Sequence, residues 1–156
     1  MTDYKPLQSA LKTDKKKHEF IEVNKMNTKI LMTASCLFLG AMGLFTLFAP
    51  DTLLGLMDTS PTQPLVVTVQ LMGSLYFAFA FVNWTAKDSA IGGIYARPVS
   101  LGNFAHFFTG ALILIKYLIA MDFNVVVLMI TIVYAVFAVL FYWLVFRATG
   151  LPKGSQ

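Results

Sequence analysis

The residues best suited to chemistry lie where two long apolar stretches follow one another in the chain. Asn83 is near the end of one stretch, Arg97 precedes the next, and Asn103 and His106 lie just inside it. Asn103, His106 and Gly110 are spaced to share one helix face, and Gly110 would let a neighbouring helix come close. We therefore expect Asn103 and His106 to face another helix or a ligand, because unpaired polar groups are costly in hydrocarbon.

Two interpretations of this group remain open. The side chains of Asn83, Arg97, Asn103 and His106 could form a cup that binds an anionic or carbonyl-bearing ligand, such as a lipid head group or a quinone. They could instead provide hydrogen bonds between helices, with Arg97 serving as interfacial positive charge. Ligand-binding residues are predicted at these four positions under the first interpretation alone.

Other kinds of site find little support. Cys36 is the single cysteine and His106 the single histidine of the apolar part, too few for a zinc site or a bis-histidine haem in one chain. The acids beyond residue 29 all lie at segment ends, which disfavours paired-carboxylate catalysis within a membrane. We predict no catalytic residues, no metal and no cofactor apart from a bound lipid or quinone, and we lean against an enzyme.

Lys116 is a separate question, because it interrupts the apolar run "ALILIKYLIAM" at 111–121. A charge at membrane depth costs at least a few kcal/mol, about 3 on insertion scales. The side chain could extend to the outer interface, form an ion pair with Asp51 or Asp122, or belong to a ligand site. All three interpretations remain open.

The composition predicts an integral membrane protein. The 156 residues are 57% hydrophobic and 13% charged, whereas soluble domains average about 25% charged. A spanning helix needs about 20 apolar residues, and we predict an all-α, four-helix transmembrane bundle. Its helices are expected at about 30–48, 65–84, 101–121 and 125–146. They form a domain at 30–147, with a basic tail before it at 1–29 and a short tail after it at 148–156.

Two connecting features are also predicted. Ser60, Pro61 and Gln63 match the N-cap, N1 and N3 positions of a capping box before the second span. Pro50 ends the first span or starts the next turn. The loop after it, "APDTLLGLMDTSP", is either a short amphipathic turn lying on the outer surface or a plain connector.

The charge distribution predicts the orientation. Every Lys and Arg except Lys116 lies in the N-terminal tail, in the 85–100 loop or near the C-terminus, and the two other loops carry only acids. The positive-inside rule then places both termini in the cytoplasm. We expect a multi-pass protein of a bacterial inner membrane.

Three stretches resemble small bacterial four-helix membrane proteins of the DoxX-like type: "GLFTLFAPDTLLGLM", "FVNWTAKDS" and "SLGNFAHFFTGALILI". The resemblance covers about positions 37–146 and implies a compact four-helix bundle. Some members of such families are linked to oxidoreductase systems, but the resemblance implies no catalytic residues here.

Three functions are consistent with these features. The first is a non-enzymatic accessory or structural subunit of a larger membrane assembly, which contacts the bilayer and another membrane protein or a second copy of itself. The alternative is a binder of a lipid or quinone-like amphiphile that serves a redox partner, and the second alternative is a small transporter acting as an oligomer. Nucleic-acid binding is not expected, because the basic tail has no Arg and is interrupted by acids.

Overall fold

Four long helices and one short helix make up the described part of the chain. The computed structural model describes residues 28–88, 96–121 and 123–147, so the two predicted tails lie almost entirely outside it. The four long helices are long and apolar enough to cross a membrane, which suggests a membrane protein. The helices are α1 (Thr28–Phe48), α2 (Pro50–Leu56), α3 (Gln63–Ala86), α4 (Ala96–Ala120) and α5 (Val125–Arg147).

The predicted spans agree with the four long helices to within a few residues, and the largest difference is at the start of α4. The predicted capping box is wrong. Thr62 is the N-cap of α3, no side chain caps the helix, and Gln63 is its first residue. The sequence offers two prolines, Pro61 and Pro64, and a proline fits the first turn of a helix because the N–H groups there need no helical partner. The chain uses Pro64.

The loop after α1 contains a helix, which excludes the plain connector and leaves the short amphipathic turn of the two predicted alternatives. Pro50 is at the start of α2, where its fixed φ suits the first helical turn. Leu54 is buried and Leu56 is exposed, so α2 presents an apolar side chain to the bundle. Asp58 follows with a φ of 55°, in the left-handed region that aspartate tolerates better than most residues.

Consecutive long helices run antiparallel. Gly43 of α1 lies against Gly73 of α3, while Ser35, earlier in α1, meets Asn83, later in α3.

Helices α4 and α5 are also antiparallel. Gly110 of α4 contacts Tyr134 of α5, and Phe104, earlier in α4, lies near Phe146, later in α5. The connections are short, as in an up-down-up-down bundle.

All four long helices contribute to one core. Phe107 of α4 is fully buried near its centre, and its ring stacks on Phe137 at 4.7 Å and on Phe141 at 5.8 Å between centroids. Phe38 of α1 approaches the same rings, with its centroid 6.3 Å from that of Phe107. Offset and edge-to-face ring contacts of this kind add to the stabilisation from burial.

Two glycines set the distance between α1 and α3. A Cβ atom on Gly43 would lie 2.8 Å from the backbone N of Phe77 and 2.9 Å from the carbonyl O of Gly73. A Cβ on Gly73 would collide with the Thr46 hydroxyl and lie 3.0 Å from the Gly43 carbonyl O. Small residues of this kind let helix backbones approach closely in membranes.

The alternating helices separate the charged side chains into two ends. One end, which we call the basic end, carries Lys29, Lys87 and Arg97. Lys29 forms an ion pair of 2.7 Å with Asp88, and the Lys87 ammonium lies 2.8 Å from the centre of the Trp84 ring. Arg97 is exposed. The opposite end, the acidic end, carries Asp51 and Asp58.

Asn124 ties the loops of the acidic end together. Its Oδ1 accepts hydrogen bonds from the N–H groups of Val126 (2.9 Å) and Val127 (3.2 Å), which caps α5. Its Nδ2 donates to the Leu56 carbonyl (2.9 Å) and to Asp58 Oδ2 (3.1 Å). One side chain therefore fixes the end of α2 against the start of α5.

Candidate functional site

The central polar feature is a reciprocal amide pair between α3 and α4. Asn83 Nδ2 donates to Asn103 Oδ1 at 2.8 Å, and Asn103 Nδ2 donates to Asn83 Oδ1 at 2.6 Å. Both side chains are 0% exposed. Asn83 lies one turn before the end of α3 and Asn103 two turns into α4, so the antiparallel packing brings them to the same level.

The remaining amide N–H groups of this pair are also used. Asn83 donates a second hydrogen bond to Ser35 Oγ (3.0 Å), and Asn103 donates a second to the Val99 carbonyl (2.9 Å). Ser35, equally buried, donates its own proton to the Met32 carbonyl at 3.0 Å. The network, which we call the amide joint (Ser35, Asn83 and Asn103), links α1, α3 and α4.

The amide joint leaves no N–H of its own for a ligand. All four side-chain N–H groups of the two asparagines donate within the protein, and each amide oxygen accepts a bond. A ligand at this point would have to displace these bonds in a buried environment, where an unmade bond costs about 1–3 kcal/mol. The geometry therefore matches the interhelical interpretation of Asn83 and Asn103.

Arg97 does not join the asparagines. It is exposed in the first turn of α4, six residues or about 9 Å of helical rise before Asn103. This position suits interfacial positive charge at the basic end. The four residues of the predicted cup thus have three different environments.

His106 lies among aromatic rings where α3, α4 and α5 meet. Its Nε2 is 3.4 Å from the Tyr134 hydroxyl. The Phe79 ring stacks on the imidazole at 5.6 Å, and the Tyr76 ring meets it edge-on at 5.5 Å. Asn103 and His106 were expected to face another helix or a ligand, and both face helices: α3 lies opposite Asn103, and α3 and α5 lie opposite His106.

Gly110 makes room for the tyrosine that reaches His106. A Cβ on Gly110 would lie 2.5 Å from Cε1 of Tyr134 and 2.6 Å from its Cδ1. The predicted close approach at Gly110 is confirmed, and it is an aromatic ring of α5 that fills the space.

Lys116 lies on the outside of the helix bundle, away from its core. Its side chain is exposed, on the face of α4 that also carries Ile113 and Ile119, and it lies four residues or about 6 Å before the end of the helix. Within the described residues, no ion pair joins Lys116 to Asp51. Asp122, the other predicted partner, lies outside the described residues.

Two residues of these polar contacts were not predicted from the sequence. Ser35 belongs to the stretch "TASC", and nothing in its spacing points to Asn83. Tyr134 gave a usable signal, because a tyrosine in the middle of an apolar span brings a hydroxyl that needs a partner. Among residues 28–88, 96–121 and 123–147, no group of three His, Cys, Asp or Glu residues is placed to hold a metal ion.

Comparisons with protein-family models, curated proteins and solved structures find no match to this chain. The resemblance to DoxX-like proteins remains a prediction.

Proposed function

We propose that this protein is a non-enzymatic accessory or structural subunit of a larger membrane assembly. The observation that carries the proposal is the amide joint. Its polar side chains are fully buried, bond to one another and hold three helices together. Polar side chains used in this way stabilise a scaffold, and they leave the outer faces of the helices for contact with lipid and with a partner protein.

The proposed setting is a bacterial inner membrane with both termini in the cytoplasm. The separation of charge supports it: Lys29, Lys87 and Arg97 lie at one end, and Asp51 and Asp58 at the other. The basic end would face the cytoplasm under the positive-inside rule. The test is labelling of Asp58→Cys and Lys87→Cys from outside intact cells, in a Cys36→Ala background. We expect labelling at position 58 only, and labelling at position 87 only would contradict the orientation.

Site-specific photo-crosslinking tests for a partner. A photoreactive residue would replace Leu71 of α3, Ile113 of α4 or Val139 of α5, all exposed, and the buried Leu39 would serve as the control. We expect at least one exposed position to give a crosslink to one defined membrane protein, and position 39 to give none. Crosslinks to lipid alone from all three exposed positions would contradict the proposal.

A further inference from the structure

His106 is a polar side chain of the bundle whose hydrogen bonding is incomplete. It is half-buried, and its one side-chain hydrogen bond is the 3.4 Å contact between Nε2 and the Tyr134 hydroxyl, which is long for this type of bond. Among the described residues, Nδ1 has no partner. The amide joint differs, since every one of its N–H groups is paired over 2.6–3.0 Å.

The surrounding rings hold the imidazole in place and supply flat apolar walls. Phe79 is stacked on it with 26° between the planes, while Tyr76 and Phe107 meet it at 69° and 67°. Tyr76 and Phe79 are themselves half-buried, so this side of the cluster is accessible from the outside of the bundle. A flat or slender apolar molecule fits beside such walls.

The depth of His106 in the membrane restricts the kind of ligand that can bind there. α4 spans 25 residues, Ala96–Ala120, and His106 is two residues or about 3 Å from its middle. The cationic residues of the same helix are far away along its axis, with Arg97 about 14 Å in one direction and Lys116 about 15 Å in the other. Phospholipid head groups lie outside a hydrocarbon layer about 30 Å thick. A ligand at His106 must therefore be uncharged and soluble in the membrane interior.

We propose that His106, Tyr134 and Tyr76 form a binding site within the membrane for an uncharged apolar molecule that carries a carbonyl oxygen. This goes beyond the proposed role as a subunit and does not depend on it. It narrows the amphiphile alternative, because it keeps only His106 of the four residues of the predicted cup and excludes charged head groups.

The hydrogen-bond directions explain the preference for a carbonyl. His106 Nε2 and the Tyr134 hydroxyl are 3.4 Å apart, and the tautomer that we assign to His106 is the one in which Nε2 accepts the hydroxyl proton. A neutral imidazole that accepts at Nε2 carries its proton on Nδ1, so Nδ1 is a free donor. A carbonyl oxygen accepts this bond and brings no proton of its own, whereas a ligand hydroxyl would leave its own proton unpaired in hydrocarbon.

The test uses the full-length protein in phosphatidylcholine nanodiscs and a long-chain methyl ketone as the probe, with the alkane of equal length as the matched ligand control. We expect saturable binding of the ketone at one site per chain and a shift of the His106 ring-nitrogen resonances, which the alkane does not cause. His18, the other histidine, is the internal reference. Ketone that only partitions into the lipid, without saturation, would overturn the proposal.

Variants locate the site. His106→Phe removes the Nδ1 donor, and Tyr134→Phe removes the hydroxyl that keeps the proton on Nδ1. Each should therefore weaken ketone binding about threefold to tenfold, the value of one hydrogen bond. Thr109 is one turn beyond His106 in α4, and its exposed hydroxyl bonds only to the backbone carbonyls of Ala105 (2.7 Å) and His106 (3.4 Å). Thr109→Val removes neither of the His106 ring nitrogens nor the Tyr134 hydroxyl, so it should leave binding unchanged. Tyr134→Phe removes a single oxygen atom and keeps the ring contacts, so it remains informative if His106→Phe does not fold. Equal affinity in wild type and Tyr134→Phe, or an equal loss in Thr109→Val, would contradict the assignment.

Discussion

Asn83 and Asn103 exchange two hydrogen bonds across the α3–α4 contact, at 2.8 and 2.6 Å, in a fully buried environment. Replacing one of them by leucine keeps a branched side chain with the same number of heavy atoms but leaves the other amide without its reciprocal partner. We expect Asn83→Leu or Asn103→Leu to lower the free energy of unfolding by about 1–2 kcal/mol, toward the upper end of values for membrane hydrogen bonds.

The double variant tests whether Asn83 and Asn103 stabilise the protein as one unit or as two independent contacts. When both amides are removed, neither is left unpaired, so Asn83→Leu with Asn103→Leu should cost less than the sum of the single changes. The measurement is equilibrium unfolding in detergent, with Thr109→Val as a control for loss of an exposed hydroxyl. Additive single effects would show that the reciprocal pair does not act as a unit.

The contact of α1 with α3 gives a second prediction. Gly43→Ala places a methyl group against backbone atoms of Phe77 and Gly73, which cannot move without separating the helices. We expect a loss of about 1–3 kcal/mol in unfolding free energy, as for overpacked cores. Gly102→Ala is the matched control, because the nearest atom to its Cβ would be Phe79 Cε1 at 3.8 Å. Unchanged stability in Gly43→Ala would contradict the observed spacing.

The hydrogen bonds of Asn124 at the acidic end give a third prediction. We call its bonds to Leu56 and Asp58 the loop clamp, as distinct from its cap of α5. Asn124→Ala removes both the cap of α5 and the bonds to Leu56 and Asp58, and should cost about 1–2 kcal/mol. Asn124→Asp keeps an oxygen for the cap but loses the donor and places a carboxylate beside that of Asp58. We expect both variants to have a lower melting temperature than wild type, because both lose the bonds to Leu56 and Asp58. Wild-type melting of Asn124→Asp would assign the whole effect to the cap.

Lys116 gives the fourth prediction. An exposed lysine about 6 Å from the helix end can extend its ammonium to the interface without an acidic partner. Lys116→Met should change the unfolding free energy by less than about 1 kcal/mol. The double-mutant cycle with Asp51→Asn should show no coupling, since no ion pair joins the two side chains. A coupling of 1 kcal/mol or more would instead indicate a pair that forms in the bilayer.

Much of the fold could be predicted from the sequence because long apolar runs permit few structures in a membrane. The ends of the long helices were predicted within a few residues for this reason. The N-cap of α3 was predicted wrongly, because Pro61 and Pro64 both suit a first turn and the pattern alone does not choose between them.

The candidate site was harder to predict, because helical spacing shows which residues share a face but not what packs against that face. Asn103 and His106 were placed together correctly, yet one faces Asn83 and the other faces Tyr134. The bonding of Asn83 to Ser35 depends on how α1 packs against α3, over 48 residues of sequence separation. No short-range pattern contains that information.

Native mass spectrometry of the wild-type protein, extracted from its own membranes in a gentle detergent, tests whether the chain is a subunit of a larger assembly. The proposed role as an accessory or structural subunit predicts that the chain is released in a complex of fixed stoichiometry with at least one other membrane protein. Release of the chain only as a monomer or homo-oligomer, with lipid or a small molecule as its sole companion, would contradict that role.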